Sequence, residues 1–414
     1  MNARLARRAF FRALSTIDNS ALEISEGSRR FRFGDPDAEL RALVEVNDPR
    51  AYALALRGSA GLAEGYVDEL WTSGDPVAVV RIASRNLATF DRWRRLIHPL
   101  VGPLQRAAAR VPRNTRRGAA KNISAHYDLG NTLFESFLDP TLMYSSAYYP
   151  EPAATLEQAQ LAKLDRICER LELGPTDHLV EIGTGWGGLA IHAAANYGCR
   201  VTTTTISREQ HAFAAERVRA AGLDDRIELR LDDYRDLEGS FDKLVSIEMI
   251  EAVGWQYFPA FFAKCSQLIG RSGAMLLQAI VIDDDLYEIE KAAPSFANTE
   301  VFPGGCLPSL ELIGELGARN RMAPSWCEDI SPHYARTLAD WRQRFNLAWP
   351  ALRPLGYDRN FQRRWDFYLA FSEAGFREQR IRDLQILLTK PGWAERGTRS
   401  NSDTSDAVTA SLSS

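Results

Sequence analysis

The chain has 414 residues, 45% hydrophobic and 25% charged, with a formal net charge of -4 at pH 7. This length predicts two domains, and the charge argues against a nucleic-acid-binding protein. No apolar run reaches the roughly 18 to 20 residues that span a bilayer, and the Arg-rich start lacks a signal-peptide pattern, so we expect a cytoplasmic protein. The five cysteines form no C-x-x-C pair, so neither a disulfide framework nor a metal site is indicated.

Residues 1–100 predict a small α+β domain, because short apolar segments alternate with turns such as Gly34-Asp35-Pro36. Near its start, arginines interleave with apolar residues and predict a basic amphipathic helix able to lie on an anionic membrane: Arg4, Arg7, Arg8 and Arg12. A second basic run, between Arg106 and Lys121, falls in a predicted linker over residues 101–120. A solvated helix and a polar linker explain the two basic runs equally well.

A glycine-rich turn follows the first strand predicted after this linker, Leu179–Ile182. Amphipathic stretches on either side, Leu156–Leu173 and Leu189–Tyr197, give the rhythm of an α/β domain. The glycines let the backbone approach a ligand closely, and their spacing differs from the G-x-G-x-x-G of dinucleotide sites. The alternative is a purely structural tight turn. S-adenosylmethionine fits as ligand, and its candidate contacts are Glu181, Gly183, Thr184, Gly185, Trp186 and Gly187.

Four more strands are predicted, and polar residues follow several of them, as at the ligand-binding edge of a parallel sheet. Val201–Ile206 makes Thr205, Ile206 and Gln210 candidate ligand contacts, while Ser207 is better explained as a helix cap. After Ile227–Leu231, Asp233 is a candidate for the adenine amino group and Tyr234 for packing on the ring, whereas Asp232 and Asp236 are expected in solvent. The remaining two strands are Lys243–Ile247 and Ala274–Ile282.

Beyond the fifth strand the pattern changes. The stretch Asp283–Glu300 is acidic and interrupted, and a helix is predicted over Tyr334–Ala348. Such an insertion predicts a helical lid over the substrate pocket, in which Trp341 and Phe345 are expected to be core residues. The Ser/Thr-rich tail, residues 394–414, is expected to be disordered.

Seven motifs can be picked out along the chain: Val180–Gly188, Asp233–Leu237, Glu248–Gly254, His126–Asn131, Met143–Tyr148, Phe302–Ser309 and Tyr368–Phe376. Together these motifs resemble the cyclopropane-fatty-acyl-phospholipid synthase family of S-adenosylmethionine-dependent methyltransferases. The resemblance covers about residues 121–393 and implies a Rossmann-like class I methyltransferase sheet. A weaker likeness at Gly61–Asp68 points to the family's N-terminal lipid-handling domain.

The resemblance also implies roles for individual residues. Tyr144 and Ser145 would close over the cofactor, Thr205–Gln210 would hold its ribose side, and Tyr234 and Arg235 would flank the adenine. Family members hold a bicarbonate ion near the reacting carbons, and the matching positions here are Ser146, Glu251, Gln278, Ile280 and Tyr368. Ser146 replaces a frequent Cys and Gln278 replaces a His of some members; both can still donate hydrogen bonds to the anion.

The implied reaction transfers a methyl group to the cis double bond of a phospholipid acyl chain and forms a carbocation, which Glu251 and the rings of Tyr144, Tyr148 and Tyr368 would stabilise. Proton loss from the new methyl gives a cyclopropane fatty acid. Loss from a chain carbon gives a methylene branch, which a separate reductase partner would saturate to a 10-methyl, tuberculostearic-type product. A methyltransferase of small soluble substrates and a lipid-binding protein without activity are also compatible with the fold. We expect peripheral contact with the inner face of the membrane, and a homodimer is compatible with the sequence.

Overall fold

The computed structural model describes residues 3–87, 114–115, 118 and 129–394. The basic run from Arg106 to Lys121, most of the predicted linker and the tail beyond residue 394 lie outside the described residues. The chain divides into two compact units. The first contains residues 1–111, 292–303 and 335–381, and the second contains residues 112–291, 304–334 and 382–414. The first break between the units, after residue 111, lies within the predicted linker, but residues 292–303 and 335–381 return to the first unit.

A four-stranded sheet forms the N-terminal part of the first unit, in the order β2-β1-β3-β4. β1 pairs antiparallel with β2 and parallel with β3, which fits the predicted α+β class. Residues 76–87 are helical. The strands are β1 (Ala21–Glu26), β2 (Arg29–Gly34), β3 (Arg41–Val46) and β4 (Trp71–Thr72), and the helices are Ala3–Leu14, Arg50–Ala55 and Ser59–Val67.

Helices from late in the sequence complete the first unit, namely Arg359–Arg377 and most of Ser331–Leu352. The Tyr66 hydroxyl donates to Asp366 Oδ2 at 2.8 Å, and Arg342 Nε donates to Asp366 Oδ1 at 2.8 Å. These contacts explain why the late helices belong with the N-terminal residues. Trp341 and Phe345 are completely buried, which confirms them as core residues, while the lid function stays a prediction.

The second unit is built on a seven-stranded sheet in the order β10-β11-β9-β8-β5-β6-β7. The pairs β5/β6, β5/β8, β6/β7 and β8/β9 are parallel, and β10/β11 is antiparallel. The predicted Rossmann-like sheet is confirmed, and its order reverses beside β5, where such sheets bind ligands. Its strands are β5 (His178–Ile182), β6 (Arg200–Thr204), β7 (Ile227–Arg230), β8 (Phe241–Ile247), β9 (Ile269–Ile282), β10 (Ala323–Asp329) and β11 (Ile381–Thr389).

Successive residues of the central strands pack into different cores, as expected for a sheet covered on both faces. Leu179 and Val245 belong to one core, whereas Val180 and Leu244 belong to the other. No helix among the described residues is long and apolar enough to span a membrane. The five cysteines are free thiols, and four of them are buried. The helices of this unit are Asn131–Phe137, Leu156–Arg170, Gly188–His192 with a π turn Ala193–Tyr197, Arg208–Ala220, Phe258–Leu268, Asp284–Glu290 and Leu310–Arg319.

Candidate active site

The glycine-rich turn leaves β5 with positive φ angles at Gly183, Gly185 and Gly187, of 107°, 52° and 84°. The amides of Gly183 and Thr184 both donate to the Thr204 carbonyl at 3.1 Å, which ties the turn to β6. A Cβ added at Gly185 would have no atom within 4 Å and would project into open space beside the turn. This cradle fits a ligand that approaches the backbone closely, as predicted for S-adenosylmethionine.

Glu181 points one carboxylate oxygen into a short hydrogen-bond chain. The Thr203 hydroxyl donates to Glu181 Oε2 at 2.6 Å, and it lies 2.7 Å from the Thr184 hydroxyl. Because Thr203 has a single hydroxyl hydrogen, Thr184 must be the donor to Thr203. Burial raises the pKa of Glu181 to about 8, and its Oε1 has no hydrogen-bond partner in the described part of the chain. A ribose hydroxyl or an ammonium group would satisfy that oxygen.

Hydrogen bonds connect the residues that follow β6. The Thr205 hydroxyl donates to Gln210 Oε1 at 2.8 Å, and Ser207 caps helix Arg208–Ala220 by accepting from the Gln210 amide. The cap predicted at Ser207 is therefore confirmed. The side-chain amide nitrogen of Gln210 has no partner within the described ranges and is available to a ligand. Ile206, which follows Thr205, is half-buried.

Asp233 forms an ion pair with Arg235. Arg235 donates to its two carboxylate oxygens at 2.7 and 2.5 Å, and the Arg235 backbone amide donates to Oδ1 at 3.0 Å. The Tyr234 ring packs edge-on against Phe261 at 5.4 Å. The adenine contacts of these three residues stay predictions. Asp236 is exposed, as expected.

The motif predicted to close over the cofactor packs against helix Asn131–Phe137. Tyr144 makes an edge contact with Phe134 at 5.3 Å, and Phe134 also packs on the buried ring of Trp186 at 4.7 Å. The Trp186 indole nitrogen donates to Asn131 at 2.9 Å. The Trp186 ring therefore packs within the protein beside the glycine turn, and only the Trp186 backbone is left to contact a ligand.

Three acids, Glu248, Glu251 and Asp383, form with Lys163 what we call the acid cluster. Asp383 and Lys163 are completely buried, whereas Glu248 and Glu251 are half-buried. Glu248 follows β8 and has a φ of 46°, a left-handed conformation that is unfavourable for a residue with a side chain. Its Oε1 accepts the Ser146 amide and Gln278 Nε2, each at 2.8 Å. Its Oε2 accepts the Tyr334 hydroxyl at 2.6 Å.

Gln278 has no side-chain donor left. One Nε2 hydrogen goes to Glu248 and the other to Asp383 Oδ2 at 3.0 Å, while Gln278 Oε1 accepts from Gln385 at 3.1 Å. Burial raises the pKa of Asp383 well above its usual value, and the charges of Glu248 and Glu251 raise it further. Burial also lowers the pKa of Lys163 to about 8, which nearby carboxylates counteract.

Glu251 is held through one oxygen only. The Ile280 amide donates to its Oε1 at 2.6 Å, and its buried Oε2 has no hydrogen-bond partner among the described residues. Burial, followed by the charge of Glu248, raises the pKa of Glu251 to about 8. In the free protein this carboxyl therefore stays largely protonated at neutral pH, so its predicted role as a fixed negative charge depends on a cation nearby.

These contacts do not fit a bicarbonate ion. Of the donors predicted for it, the Ser146 amide, both Gln278 hydrogens and the Ile280 amide already bind internal carboxylates, and the Ser146 hydroxyl donates to the Ala147 carbonyl at 2.9 Å. Bicarbonate would also add negative charge next to three acids. The structure therefore places Ser146 and Gln278 around the Glu248 carboxylate, and Ile280 against the Glu251 carboxylate.

The two remaining tyrosines predicted as π faces are differently placed. Tyr148 has the Arg166 guanidinium 3.9 Å above its ring and the His333 ring at 4.4 Å, so the ring is already engaged within the protein. Tyr368 belongs to the first unit, where it is buried and makes edge contacts with Phe302 and Trp365. A place for Tyr368 beside the acid cluster stays a prediction.

Sequence reasoning did not select Glu248, Lys163 or Asp383. Glu248 had a signal, because it follows a predicted strand at the ligand-binding edge. Lys163 also had one, since it falls on the apolar face of helix Leu156–Arg170 with Leu164 and Ile167. Asp383 lies in a strand that no pattern had identified, so its burial could come only from the structure.

Comparison with known proteins places this chain in a family. The family model for mycolic acid cyclopropane synthetase matches residues 114–386. Tuberculostearic acid methyltransferase UfaA1 of Mycobacterium tuberculosis is 37% identical over 83% of this chain and 82% of its own length. Cyclopropane-fatty-acyl-phospholipid synthase of Escherichia coli is 34% identical over 84% of this chain and 87% of its own.

The fold comparison agrees. A crystal structure of the mycolic acid cyclopropane synthase CmaA1, complexed with SAH and CTAB, superposes with a TM-score of 0.62 at 30% identity, covering 66% of this chain and 98% of that chain. The bound SAH of that relative agrees with the cofactor predicted here from the glycine turn. The chain belongs to the mycolic acid cyclopropane synthetase family and is an S-adenosylmethionine-dependent methyltransferase.

Proposed function

We propose that the protein transfers a one-carbon unit from S-adenosylmethionine to the cis double bond of an unsaturated acyl chain in a membrane phospholipid, giving a cyclopropane fatty acid. The observation that carries this proposal is the 34% identity, over 84% of the chain, to a cyclopropane-fatty-acyl-phospholipid synthase. The site chemistry supports it, because two half-buried acids, Glu248 and Glu251, follow β8, the strand next to that of the glycine turn. A carbocation there would need negative charge and little water.

In this proposal the glycine turn and Glu181 bind the cofactor, and the double bond of the acyl chain attacks its methyl group. The backbone of the turn from Gly183 to Gly187 contacts the cofactor, and Glu181 accepts a hydrogen bond from its ribose or ammonium group. The sulfonium methyl is attacked by the double bond, so the carbon–sulfur bond breaks as a carbon–carbon bond forms, and S-adenosylhomocysteine leaves. The cation on the chain then loses a proton from the new methyl group, and the freed electron pair closes the ring.

A second product has its own support. The 37% identity to tuberculostearic acid methyltransferase favours a methylene-branched intermediate, from which a 10-methyl chain forms when a separate reductase adds hydrogen. Methyl transfer is the same in both reactions, and only the carbon that loses the proton differs. A small soluble substrate is disfavoured by the lipid-modifying names of both relatives.

Contact with the membrane is also proposed, through helix Ala3–Leu14. Its Arg8 and Arg12 are exposed, whereas Ala6 and Leu14 are buried against the first unit. Each arginine near an anionic surface contributes about 1 kcal/mol. Such contact would keep the protein at the inner face of the membrane, where its substrate lies.

Lipid mass spectrometry tests the proposal. The protein is expressed in a host that lacks cyclopropane synthase and is fed methionine with a deuterated methyl group. A ring and a methylene branch both retain two of the three methyl hydrogens, so the lipids are then hydrogenated under mild conditions, which saturate the branch and leave the ring intact. Absence of any labelled acyl chain would refute the proposal, and a Gly185→Val variant is the inactive control.

A further inference from the structure

Three donors converge on one carboxylate in this site, and two of them come from residues that the family resemblance assigns to an external anion. Ser146 gives its amide and Gln278 its side-chain nitrogen to Glu248 Oε1, and Tyr334 gives its hydroxyl to Oε2. We propose that the Glu248 carboxylate is the resident anion of this active site and that the enzyme works without bicarbonate. This inference rests on the proposed function for its activity tests, but not for its binding test.

Hydrogen bonding indicates which acid of the cluster carries the charge. Glu248 accepts three hydrogen bonds, whereas Asp383 Oδ1 and Glu251 Oε2 are buried without a partner in the residues described. Donors stabilise the ionised form of a carboxyl group, and orphaned buried oxygens favour the protonated form. Glu248 is therefore the ionised acid, and the buried ammonium of Lys163 balances it.

Electrostatics also oppose a second anion. Burial raises the pKa of all three acids, so the site already holds more carboxyl groups than it can stabilise as carboxylates. Bicarbonate would have to displace Glu248 from its three donors or protonate it. Both cost free energy, because a desolvated charge that loses its hydrogen-bond partners is strongly destabilised.

The backbone conformation at Glu248 also supports a functional role for its side chain. Its φ of 46° is unfavourable for a residue with a Cβ, and glycine would remove that strain. Backbone strain of this kind persists only where surrounding contacts enforce it, and it concentrates at functional sites. The conformation also supplies a precise variant, since Glu248→Gly suits the backbone while it deletes the carboxylate.

Binding of bicarbonate tests the proposal without any turnover. The probe is ¹³C-labelled bicarbonate, observed by NMR line broadening with the full-length protein. We expect no saturable binding to the wild type and saturable binding to Glu248→Gly, whose freed Ser146 and Gln278 donors accept the ion. Saturable binding to the wild type, or none to Glu248→Gly, contradicts the proposal. Calorimetry with S-adenosylmethionine checks that each variant is folded.

Activity provides the second arm, on vesicles of unsaturated phospholipid in buffer stripped of carbon dioxide. Wild-type turnover should change by less than about twofold when bicarbonate is added, while Glu248→Gly should lose about 100-fold or more and recover with bicarbonate. Glu248→Gln keeps the space filled by a neutral amide, so it should lose turnover without recovery. Exposed Glu216→Gln is the matched control and should behave as wild type. Wild-type turnover that depends on bicarbonate would overturn the proposal. A wild type that binds cofactor and modifies no phospholipid would instead refute the proposed function.

Discussion

The ammonium nitrogen of Lys163 donates a hydrogen bond to the Ser145 hydroxyl over 2.7 Å, and both residues are almost completely buried. Ser145 lies in the motif predicted to close over the cofactor, while Lys163 also balances the charge of Glu248. One cation therefore connects the cofactor motif to the acid cluster.

This link can be measured by a double-mutant cycle with Lys163→Met and Ser145→Ala. A hydrogen bond to a charged group contributes about 1.5 to 3 kcal/mol, so we expect a coupling free energy of that size between the two sites. Urea unfolding of the wild type, both single variants and the double variant provides the four values. Additive effects would show that the pair does not interact in solution.

Cofactor binding should depend on the open space beside Gly185. A Gly185→Ala substitution adds backbone strain, because φ is 52°, and also places a methyl group where the cofactor is expected. Gly222→Ala is the matched control, since its φ of 67° and its open surroundings are comparable but it lies after helix Arg208–Ala220. We expect calorimetry to show an affinity at least about tenfold weaker for Gly185→Ala only. Equal losses of affinity in both variants would contradict a cofactor contact at Gly185.

Turnover should rise with pH through about 8, because the Glu251 carboxyl must ionise to stabilise the cation and its pKa is raised to about 8. The Glu251→Gln variant should bind cofactor normally, lose about 100-fold or more in turnover and lack this rise. The measurement is kcat/KM between pH 6 and 9 on vesicles. Turnover near the wild-type level in Glu251→Gln would remove this residue from the mechanism.

Stability should show the opposite trend. The folded pKa of Glu181 is raised to about 8 from 4.5, so between these values the folded chain binds a proton that the unfolded chain has released. The free energy of unfolding must then fall as pH rises through this range. Glu181→Gln should reduce the slope by about one proton in urea titrations at several pH values. An unchanged slope would mean that Glu181 ionises normally.

Membrane binding should separate two kinds of arginine on the first helix. Arg7 is already bound, since it donates to Glu26 at 2.6 Å and its guanidinium carbon lies 4.2 Å from the centre of the Phe11 ring. Arg8→Gln and Arg12→Gln should therefore weaken binding to anionic vesicles in a salt-dependent way without loss of stability. Arg7→Gln should lower stability instead. Vesicle sedimentation and thermal unfolding distinguish the two effects.

The sequence was sufficient to predict β5 to β8 and the glycine turn, because buried parallel strands are short apolar runs with clear ends, as at Val201 and Ile247. It was insufficient for β9, which begins at Ile269 rather than at the predicted Ala274, since Gly270 to Gly273 give no apolar signal. The acid cluster was missed for a different reason. Its hydrogen bonds join segments far apart in the chain, and local patterns do not report which polar groups meet.

The thiols described with the fold have a practical consequence. Burial raises the pKa of Cys199 and of Cys327 to about 11, and that of Cys306 to about 12. Thiolates are the reactive form, so the native enzyme should resist alkylating reagents at neutral pH, while unfolding should make every sulfur reactive. A single cysteine engineered on the surface could therefore carry a fluorescent dye without prior removal of the natural ones.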